Sequence, residues 1–396
     1  VIFVSGLYPS FFIARFRPGT FLNVAKLPNS MPNLVRSSLV VFQFIVSVSL
    51  IAAAIIVGQQ MNLMKNKDLG FEKDQVVNVK LYGDLRQQSF INGEAFKSEF
   101  LKNPDILAVG LTGRIIGERL SVENVVPEGK DPEKDNIPDV RVVRVDEGYL
   151  DAMNIKLVAG RNFSRKFNDS TAYIINESAA RMFGLTDPVN ETLDSYARGR
   201  KGKIVGVVKD YHFATLHAEI EPLVIEYEPG WADNLVLKIR AGKTQETIEA
   251  IKSTIDNLAP NSLFIYQFLD DRLNMLYRSE DTMGKVFQFF SALAILIACL
   301  GLFGLSSYTI ESRTKEIGIR KVLGSTVSGI LVLVSSRVLT LILIGFFISV
   351  PLTWYVMDKW LNKFAYKIEI ELWVFALTGM LVLLIAALAT GFRTIQ

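Results

Sequence analysis

The sequence contains two histidines, His212 and His217, whose ring nitrogens could bind a zinc ion. Two zinc-binding histidines on one helix face need a spacing of i, i+4. These two are five residues apart, so we interpret them as surface or turn residues. A phosphate-binding loop is not predicted either, because Gly110, Gly113 and Gly117 have the wrong spacing and no Lys-Ser/Thr pair follows them. We therefore predict no catalytic residues, no cofactor site and no metal site.

A charged segment at 309–324 has the spacing of an amphipathic helix. Glu311 precedes Lys315, and Glu316 precedes Arg320, by four residues, which is the favourable order for ion pairs on a helix. Apolar side chains follow at helical spacing, at Ile319, Val322 and Leu323. Such a segment is either a connector on a membrane surface or a docking helix for another protein, whose polar interface is reversible.

Four long stretches without Asp, Glu, Lys or Arg determine where this segment lies. They cover residues 37–64, 286–310, 338–357 and 372–392. Each is long enough to cross a bilayer, which takes about 20 apolar residues, so four transmembrane helices are predicted. The chain between the first two, 65–285, has the composition of a folded, water-soluble domain. The four stretches lack the buried carboxylates that an ion-driven carrier needs.

The distribution of basic residues predicts the orientation of these helices. Four spans place 15–36, 311–321 and Arg393 on one side, and Lys and Arg outnumber Asp and Glu in each. Cytoplasmic segments carry such an excess, whereas the loop 358–371 holds three acidic residues and three lysines. The charged segment is therefore predicted inside the cell and the domain 65–285 outside. The net charge of +3 is too small to indicate a nucleic acid partner, and the single cysteine, Cys299, excludes a disulfide within the chain.

Two of the spans are predicted to extend beyond the membrane. Residues 37–64 form a helix of about 42 Å, whereas the hydrocarbon core is about 30 Å thick. An apolar stripe at helical spacing starts at Asp271 and leads into the second span. We expect the domain to be held on two helical extensions, which are either levers that pass on motion or a rigid tether.

The domain 65–285 shows mixed α and β patterns. Strands are predicted at 75–82, 106–112, 139–146, 172–175, 204–208, 223–227, 235–239 and 263–269. Helices are predicted at 86–102, at 177–183 between the caps Asn176 and Gly184, and at 244–258 with Thr244 as cap. The order over 235–269 fits a βαβ unit. The polar stretch 113–137 is predicted as a long surface loop, either a partner-binding loop or an irregular connection.

Several motifs together resemble one family. The segment that starts at Glu311, E-x-R-x-K-E-I-G-I-R-K-V-L-G-S, resembles the coupling loop of FtsX/MacB-type ABC transporter permeases. The domain resembles the periplasmic core of that family in five motifs: D-L-G-F-x-K-D-Q-V from Asp68, G-Y-L-x-x-M from Gly148, A-G-R-N-F from Ala159, I-I-N-E-S-A-A from Ile174 and I-V-G-V-V-K-D-Y-H-F from Ile204. The family often has a glycine at the position of Asn190, which puts one local turn in question.

The resemblance implies a fold class, a function and partners. The fold class is a multi-pass α-helical membrane protein with a large extracytoplasmic mixed α/β domain, the MacB-like periplasmic core. The implied function is that of a permease subunit in the bacterial inner membrane. It couples ATP hydrolysis by a separate cytoplasmic ATPase to movement of the periplasmic domain, and so to export or extraction of a substrate. The implied partners are the ATPase and the lipid bilayer, and the family also allows a periplasmic or outer-membrane partner.

In the family the coupling loop docks onto the ATPase, and the resemblance carries that role over to matching residues of this chain. Those residues are Glu311, Arg313, Lys315, Glu316, Ile317, Ile319, Arg320 and Lys321, with the two isoleucines in a packing role. Two other classes remain open. One is an FtsX-like transmembrane regulator of an extracytoplasmic enzyme, and the other is a membrane-anchored sensor without an ATPase. An enzyme is not expected.

The expected segments follow from the spans and the resemblance. They are the end of a preceding transmembrane helix at 1–14, a cytoplasmic linker at 15–36, a transmembrane helix with stalk at 37–64, the periplasmic core at 65–285, a transmembrane helix at 286–310, the coupling helix at 311–327, a transmembrane helix at 328–357, a periplasmic loop at 358–371 and a last transmembrane helix at 372–392. This pattern fits the C-terminal half of a duplicated, eight-span permease, so we expect the chain to be part of a longer protein.

Overall fold

A computed structural model describes residues 31–196, 198–312, 314, 319, 322 and 327–395 of the protein. The chain divides into two compact units. The helical unit comprises Val1–Ile56, Lys285–Asp358 and Ile370–Gln396, and the α/β unit comprises Val57–Gly284 and Lys359–Glu369. The predicted segment 1–14 and most of the predicted linker 15–36 lie outside the described residues. The segment boundaries given above stay predictions.

The described residues contain helices and strands in the following order. The helices are α1 (Met31–Asn66), α2 (Gly83–Ile91), α3 (Gly93–Leu101), α4 (Tyr149–Ala152), α5 (Glu177–Phe183), α6 (Thr244–Leu258), α7 (Leu269–Leu276), α8 (Arg278–Ser312), α9 (Val327–Leu361) and α10 (Leu372–Ile395). The strands are β1 (Val76–Lys80), β2 (Ile106–Thr112), β3 (Ser121–Glu123), β4 (Val125–Pro127), β5 (Val140–Val145), β6 (Leu157–Gly160), β7 (Tyr173–Asn176), β8 (Thr192–Ser195), β9 (Arg200–Val208), β10 (Leu223–Tyr227), β11 (Asn234–Ile239) and β12 (Tyr266–Phe268).

The helical unit is built from the long apolar helices. In the described part of the chain, three helices are long and apolar enough to cross a membrane: Ser37–Asn66, Arg278–Gly304 and Val338–Leu361. The apolar part of α10, Leu372–Leu388, is shorter, and a fourth span stays a prediction. All four helices contribute to one core, through residues that include Val40, Phe44, Leu302, Ile342 and Val382. Gly345 lets α9 approach α1 closely, because a Cβ there would lie 2.9 Å from Phe44 Cβ.

The α/β unit is built on a mixed sheet of twelve described strands. The strand order is β12-β1-β11-β2-β5-β10-β7-β9-β8-β4, with β3 paired to β5 and β6 paired to β9. The pairs β5–β10 and β7–β9 are parallel, and the other described pairs are antiparallel. Strands β11 and β12 are both antiparallel to β1, so they run parallel to each other with β1 between them. The predicted βαβ unit is therefore confirmed.

Hydrophobic cores lie on both faces of this sheet. Successive side chains of a strand point to opposite faces, and β1 accordingly places Val76 in one core and Val77 in another. Helices α3 and α6 cover the second face with Phe96, Phe100 and Ile255. Strands buried on both faces have nearly continuous apolar sequences, which explains why most of the central strands could be recognised.

Local capping chemistry confirms one helix to the residue. Asn176 accepts a hydrogen bond from Ala179 N at 2.9 Å and begins α5, and Gly184 ends it in the left-handed conformation, with φ 70°. Asn190, which replaces the family's frequent glycine, also has a positive φ, 75°. Asparagine tolerates this region better than most residues, so the turn is kept without glycine.

Four expectations about the α/β unit were wrong. The stretch 86–102 is two helices, because Asn92, with φ −131° and ψ 46°, interrupts it. Thr244 is the first helical residue rather than the cap, and its hydroxyl contacts Gln75 Oε1 at 3.4 Å. The stripe from Asp271 is not one helix, because Tyr277 lies outside the helical region, between α7 and α8. The stretch 113–137 contains strands β3 and β4 and is not a plain loop.

A buried ion pair connects α3 to the sheet. Lys97 Nζ lies 2.5 Å from Asp146 Oδ2 and 2.8 Å from Glu147 Oε1, and the Asp146 side chain is fully buried. Burial disfavours the charged form of Lys97, but the attraction of the two carboxylates outweighs it and raises the pKa of Lys97. Asp146 Oδ1 also accepts hydrogen bonds from Leu111 N at 2.8 Å and Gly148 N at 3.1 Å. The carboxylate therefore joins α3, β2 and the end of β5.

The substitution Lys97→Met tests this role. It leaves the Asp146 charge buried without its cation, so we expect the free energy of unfolding to fall by about 3–5 kcal/mol. Lys102→Met is the matched control: Lys102 directly follows α3 and pairs with the exposed Glu99 of that helix, and its loss should cost less than about 0.5 kcal/mol. Hydrogen-exchange protection of the β2 and β5 amides in the detergent-solubilised chain reports both values. Equal losses in the two variants would contradict the role assigned to Lys97.

Candidate functional site

Most of the predicted coupling residues lie outside the described residues. These are Arg313, Lys315, Glu316, Ile317, Arg320 and Lys321. Glu311 lies near the end of α8, which extends to Ser312. Ile319 is helical and its residue is 62% exposed, and Val322 is 88% exposed. Within this chain, the described apolar residues of the segment are therefore open to solvent or to a partner. The docking role of the eight residues stays a prediction.

The end of α1 and the start of α8 pack against each other within the α/β unit. A Cβ at Gly284 would lie 3.3 Å from Val57 Cγ1, which is a tight contact. Lys65 Nζ and Asp281 Oδ1 form an ion pair at 3.1 Å, with 50% and 37% of the side chains exposed. Exposed pairs contribute about 0.2–1 kcal/mol, so apolar packing rather than charge holds the two helix ends together.

The segment Lys359–Glu369 contains the last residues of α9 and most of the loop to α10, and it belongs to the α/β unit. The side chain of Gln60, in α1, is fully buried, and its amide both donates a hydrogen bond to the loop backbone and accepts one from it. Its Nε2 donates to Tyr366 O at 2.8 Å, and its Oε1 accepts from Ile368 N at 3.0 Å. Ala365 N donates to His217 O at 3.1 Å. We call this meeting of Gln60, Lys67, His212 and His217 with the loop the junction.

Aromatic and cationic contacts fill the junction. The His212 ring meets the Tyr366 ring edge to face, with centroids 4.8 Å apart. The His217 ring stacks on Phe364 at 4.6 Å. Lys67 Nζ lies 4.0 Å from the centroid of the Tyr366 ring, within the range of a cation–π contact. Rings and hydrogen bonds thus hold the same short loop.

The electrostatics of the junction keep His212 neutral. Burial lowers the pKa of His212, and the positive charge of Lys67 lowers it further, against the opposing effect of Asp68 and Asp210. His217 Nε2 lies 3.5 Å from Glu280 Oε1, a contact to α8. Tyr277, between α7 and α8, accepts a hydrogen bond from Leu216 N at 2.9 Å through its hydroxyl oxygen. The helix ends and the loop are therefore connected through one short stretch of the domain, 212–217.

Sequence reasoning missed the junction. It interpreted both histidines as surface or turn residues, which holds for His217 in its turn but is wrong for His212, which is only 7% exposed. Gln60 and Tyr366 are 306 residues apart. The one available signal was local: phenylalanine and tyrosine side chains within the otherwise charged loop, at Phe364 and Tyr366.

Two family models match most of the chain. The MacB-like periplasmic core domain matches residues 37–253, and the FtsX-like permease C-terminal domain matches residues 288–395. A curated relative, the uncharacterized ABC transporter permease YknZ of Bacillus subtilis (strain 168), is 24% identical over 331 residues. The alignment covers 80% of this chain and 81% of that protein.

Two solved structures are similar to part of the chain. The periplasmic region of MacB from Actinobacillus actinomycetemcomitans has a TM-score of 0.37 and 15% identity, and the match covers 54% of this chain and 97% of that chain. The extracellular domain of the noncanonic ABC-type transporter YknZ from Gram-positive bacteria has a TM-score of 0.34 and 16% identity, with 48% and 98% covered.

The neutral state of His212 predicts a pH dependence of stability. Its folded-state pKa lies below the ordinary value of 6.5, so the unfolded chain takes up a proton first as the pH falls. The stabilisation is complete above 6.5 and is lost as the pH falls below that value and through the folded-state pKa. We expect the thermal unfolding midpoint to drop between about pH 7.5 and about pH 5.5 by more in the wild type than in His212→Gln. Other groups titrate equally in both chains, so equal drops would refute the assignment.

Proposed function

The chain belongs to the family of ABC transporter permeases with a MacB-like periplasmic core domain and an FtsX-like C-terminal domain, and from this premise we propose that it couples ATP hydrolysis to movement of its α/β unit. The ATP is hydrolysed by a separate cytoplasmic ATPase, and this chain is the transport subunit without ATPase activity of its own. The movement drives export or extraction of a substrate from the inner membrane or the periplasm.

The continuity of α1 and α8 carries this proposal. Helix α1 runs without interruption from Met31 to Asn66, and its last part, from Val57, belongs to the α/β unit. Helix α8 begins at Arg278 within the same unit and runs to Ser312. A helix keeps its backbone hydrogen bonds when it is displaced as a body, so a shift at one end is passed to the other. This supports the alternative in which α1 and α8 transmit motion to the α/β unit over the alternative in which they only anchor it.

The proposed placement of the chain is in the bacterial inner membrane, as a multi-pass protein with four spans. The α/β unit lies in the periplasm and the segment 311–327 in the cytoplasm, in agreement with the excess of Lys and Arg in the segment. The ATPase binds the segment through Glu311, Arg313, Lys315, Glu316, Arg320 and Lys321, and Ile317 and Ile319 pack against it. Charged side chains suit an interface that forms and separates in each ATP cycle.

Charge reversal in the segment tests the ATPase partnership. The double substitution Arg320→Glu/Lys321→Glu places like charges against the acidic residues that the interface requires on the ATPase. We expect co-purification of the ATPase from native membranes to be lost. The matched control is Lys130→Glu/Lys134→Glu, which makes the same charge change on exposed lysines of the α/β unit.

Unchanged co-purification in the Arg320/Lys321 variant would sink the docking proposal. If no ATPase accompanies the wild type either, the membrane-anchored sensor becomes the better description. A substrate that stimulates ATP hydrolysis separates a transporter from an FtsX-like regulator.

Cysteine labelling tests the placement in the membrane. The natural cysteine is removed by Cys299→Ser, and a single new cysteine is introduced as either Lys130→Cys or Ile319→Cys, both at exposed positions. In spheroplasts a membrane-impermeant maleimide should label position 130 at once and position 319 only after the membrane is permeabilised. Labelling of position 319 in intact spheroplasts would reverse the proposed orientation.

A further inference from the structure

The predicted coupling segment lies between α8 and α9, and both helices lead to the α/β unit. Helix α8 is joined to it covalently, through Tyr277 and α7. Helix α9 ends at Leu361, and the loop that follows is held in the α/β unit by contacts at the junction. We propose that Gln60 is a positioning residue that fastens this loop to α1, so that motion of α9 reaches the stalk by a second, separable route. The inference rests on the proposed coupling function.

Gln60 is suited to this role because its amide replaces the hydrogen bonds of a neighbouring strand. It donates to Tyr366 O and accepts from Ile368 N, backbone groups of two residues that lie two positions apart in the loop. The side chain is 0% exposed. A buried amide that loses its partners costs more than the bonds themselves contribute. This cost favours the one position of the loop along α1 in which Tyr366 and Ile368 face Gln60.

Other contacts of the junction fix the loop to the domain rather than to α1. Ala365 N binds His217 O, and Phe364 stacks on the His217 ring. Trp360, near the end of α9, packs on Phe364 with ring centroids 4.9 Å apart. The loop therefore contacts three elements: α1 through Gln60, the stretch 212–217, and the last turn of α9 through Trp360.

The connection through Gln60 differs from the covalent connection through Tyr277 because its hydrogen bonds can break and form again. Each hydrogen bond contributes only modestly to stability, and the loop between Leu361 and Leu372 contains no helix or strand. When α9 moves, α1 can therefore move with it while the hydrogen bonds of Gln60 remain. If the force on these hydrogen bonds is large enough to break them, the loop separates from α1. A covalent connection such as Tyr277 has no released state.

Amide-resolved hydrogen exchange on the full chain in detergent tests the contact. In Gln60→Ala we expect the Ile368 amide to exchange about five- to tenfold faster than in the wild type, as for the loss of one buried hydrogen bond. Gln60→Glu keeps an acceptor for Ile368 N and loses the donor to Tyr366 O, so its effect on Ile368 should be smaller. Asn62→Ala is the control, since Asn62 is exposed on the same helix and accepts only a local bond from Asn66.

The role in coupling is tested with the same variants in complex with the ATPase. We expect Gln60→Ala to co-purify with the ATPase as the wild type does. Its nucleotide-dependent change in exchange across the α/β unit should fall at least about twofold. A wild-type response in Gln60→Ala, or an unchanged Ile368 amide, overturns the inference. Loss of the ATPase from the wild type overturns the proposed function itself, while the exchange of Ile368 still decides whether Gln60 holds the loop.

Discussion

The unbroken backbone hydrogen bonding of α1 and α8 is the constraint on which the other features depend. Each helix contains an apolar stretch long enough for a bilayer and continues into the α/β unit, and neither has a turn at the boundary between the units. Both helices are long and apolar enough to cross a bilayer, where a backbone group without a hydrogen-bond partner would be costly. Within the α/β unit, the helical hydrogen bonding is interrupted at Tyr277, between α7 and α8, and in the loop that follows Leu361.

Two buried polar side chains fasten the α/β unit in different ways. Lys97 forms an ion pair with the fully buried Asp146, and removing Lys97 leaves that buried carboxylate without its cation. Gln60 is neutral and binds backbone groups of a loop through two hydrogen bonds. The buried ion pair of Lys97 therefore suits a contact that holds the sheet and α3 together, and the hydrogen bonds of Gln60 suit a contact that can break and form again.

Local features of the chain could be predicted from sequence, and long-range contacts could not. Helix α5 is specified by Asn176 and Gly184 at its own ends, and the central strands by their apolar runs. Strands β3 and β4 are only three residues each, and they exist because β5 and β8 pair with them. The break at Asn92 is a single backbone conformation that periodicity does not reveal. Of the eight predicted interface residues, the structure describes Glu311 and Ile319, and the docking of all eight stays a prediction.

The same distinction explains why the interpretation of His212 as a surface or turn residue was wrong. In the sequence, His212 and His217 could be compared only as possible ligands of one zinc ion. Their spacing of five residues excludes a shared zinc site on one helix face. In the structure they serve packing: one ring lies against Tyr366 and the other against Phe364. The polar groups worth testing are therefore those that hold the loop, above all the side-chain amide of Gln60.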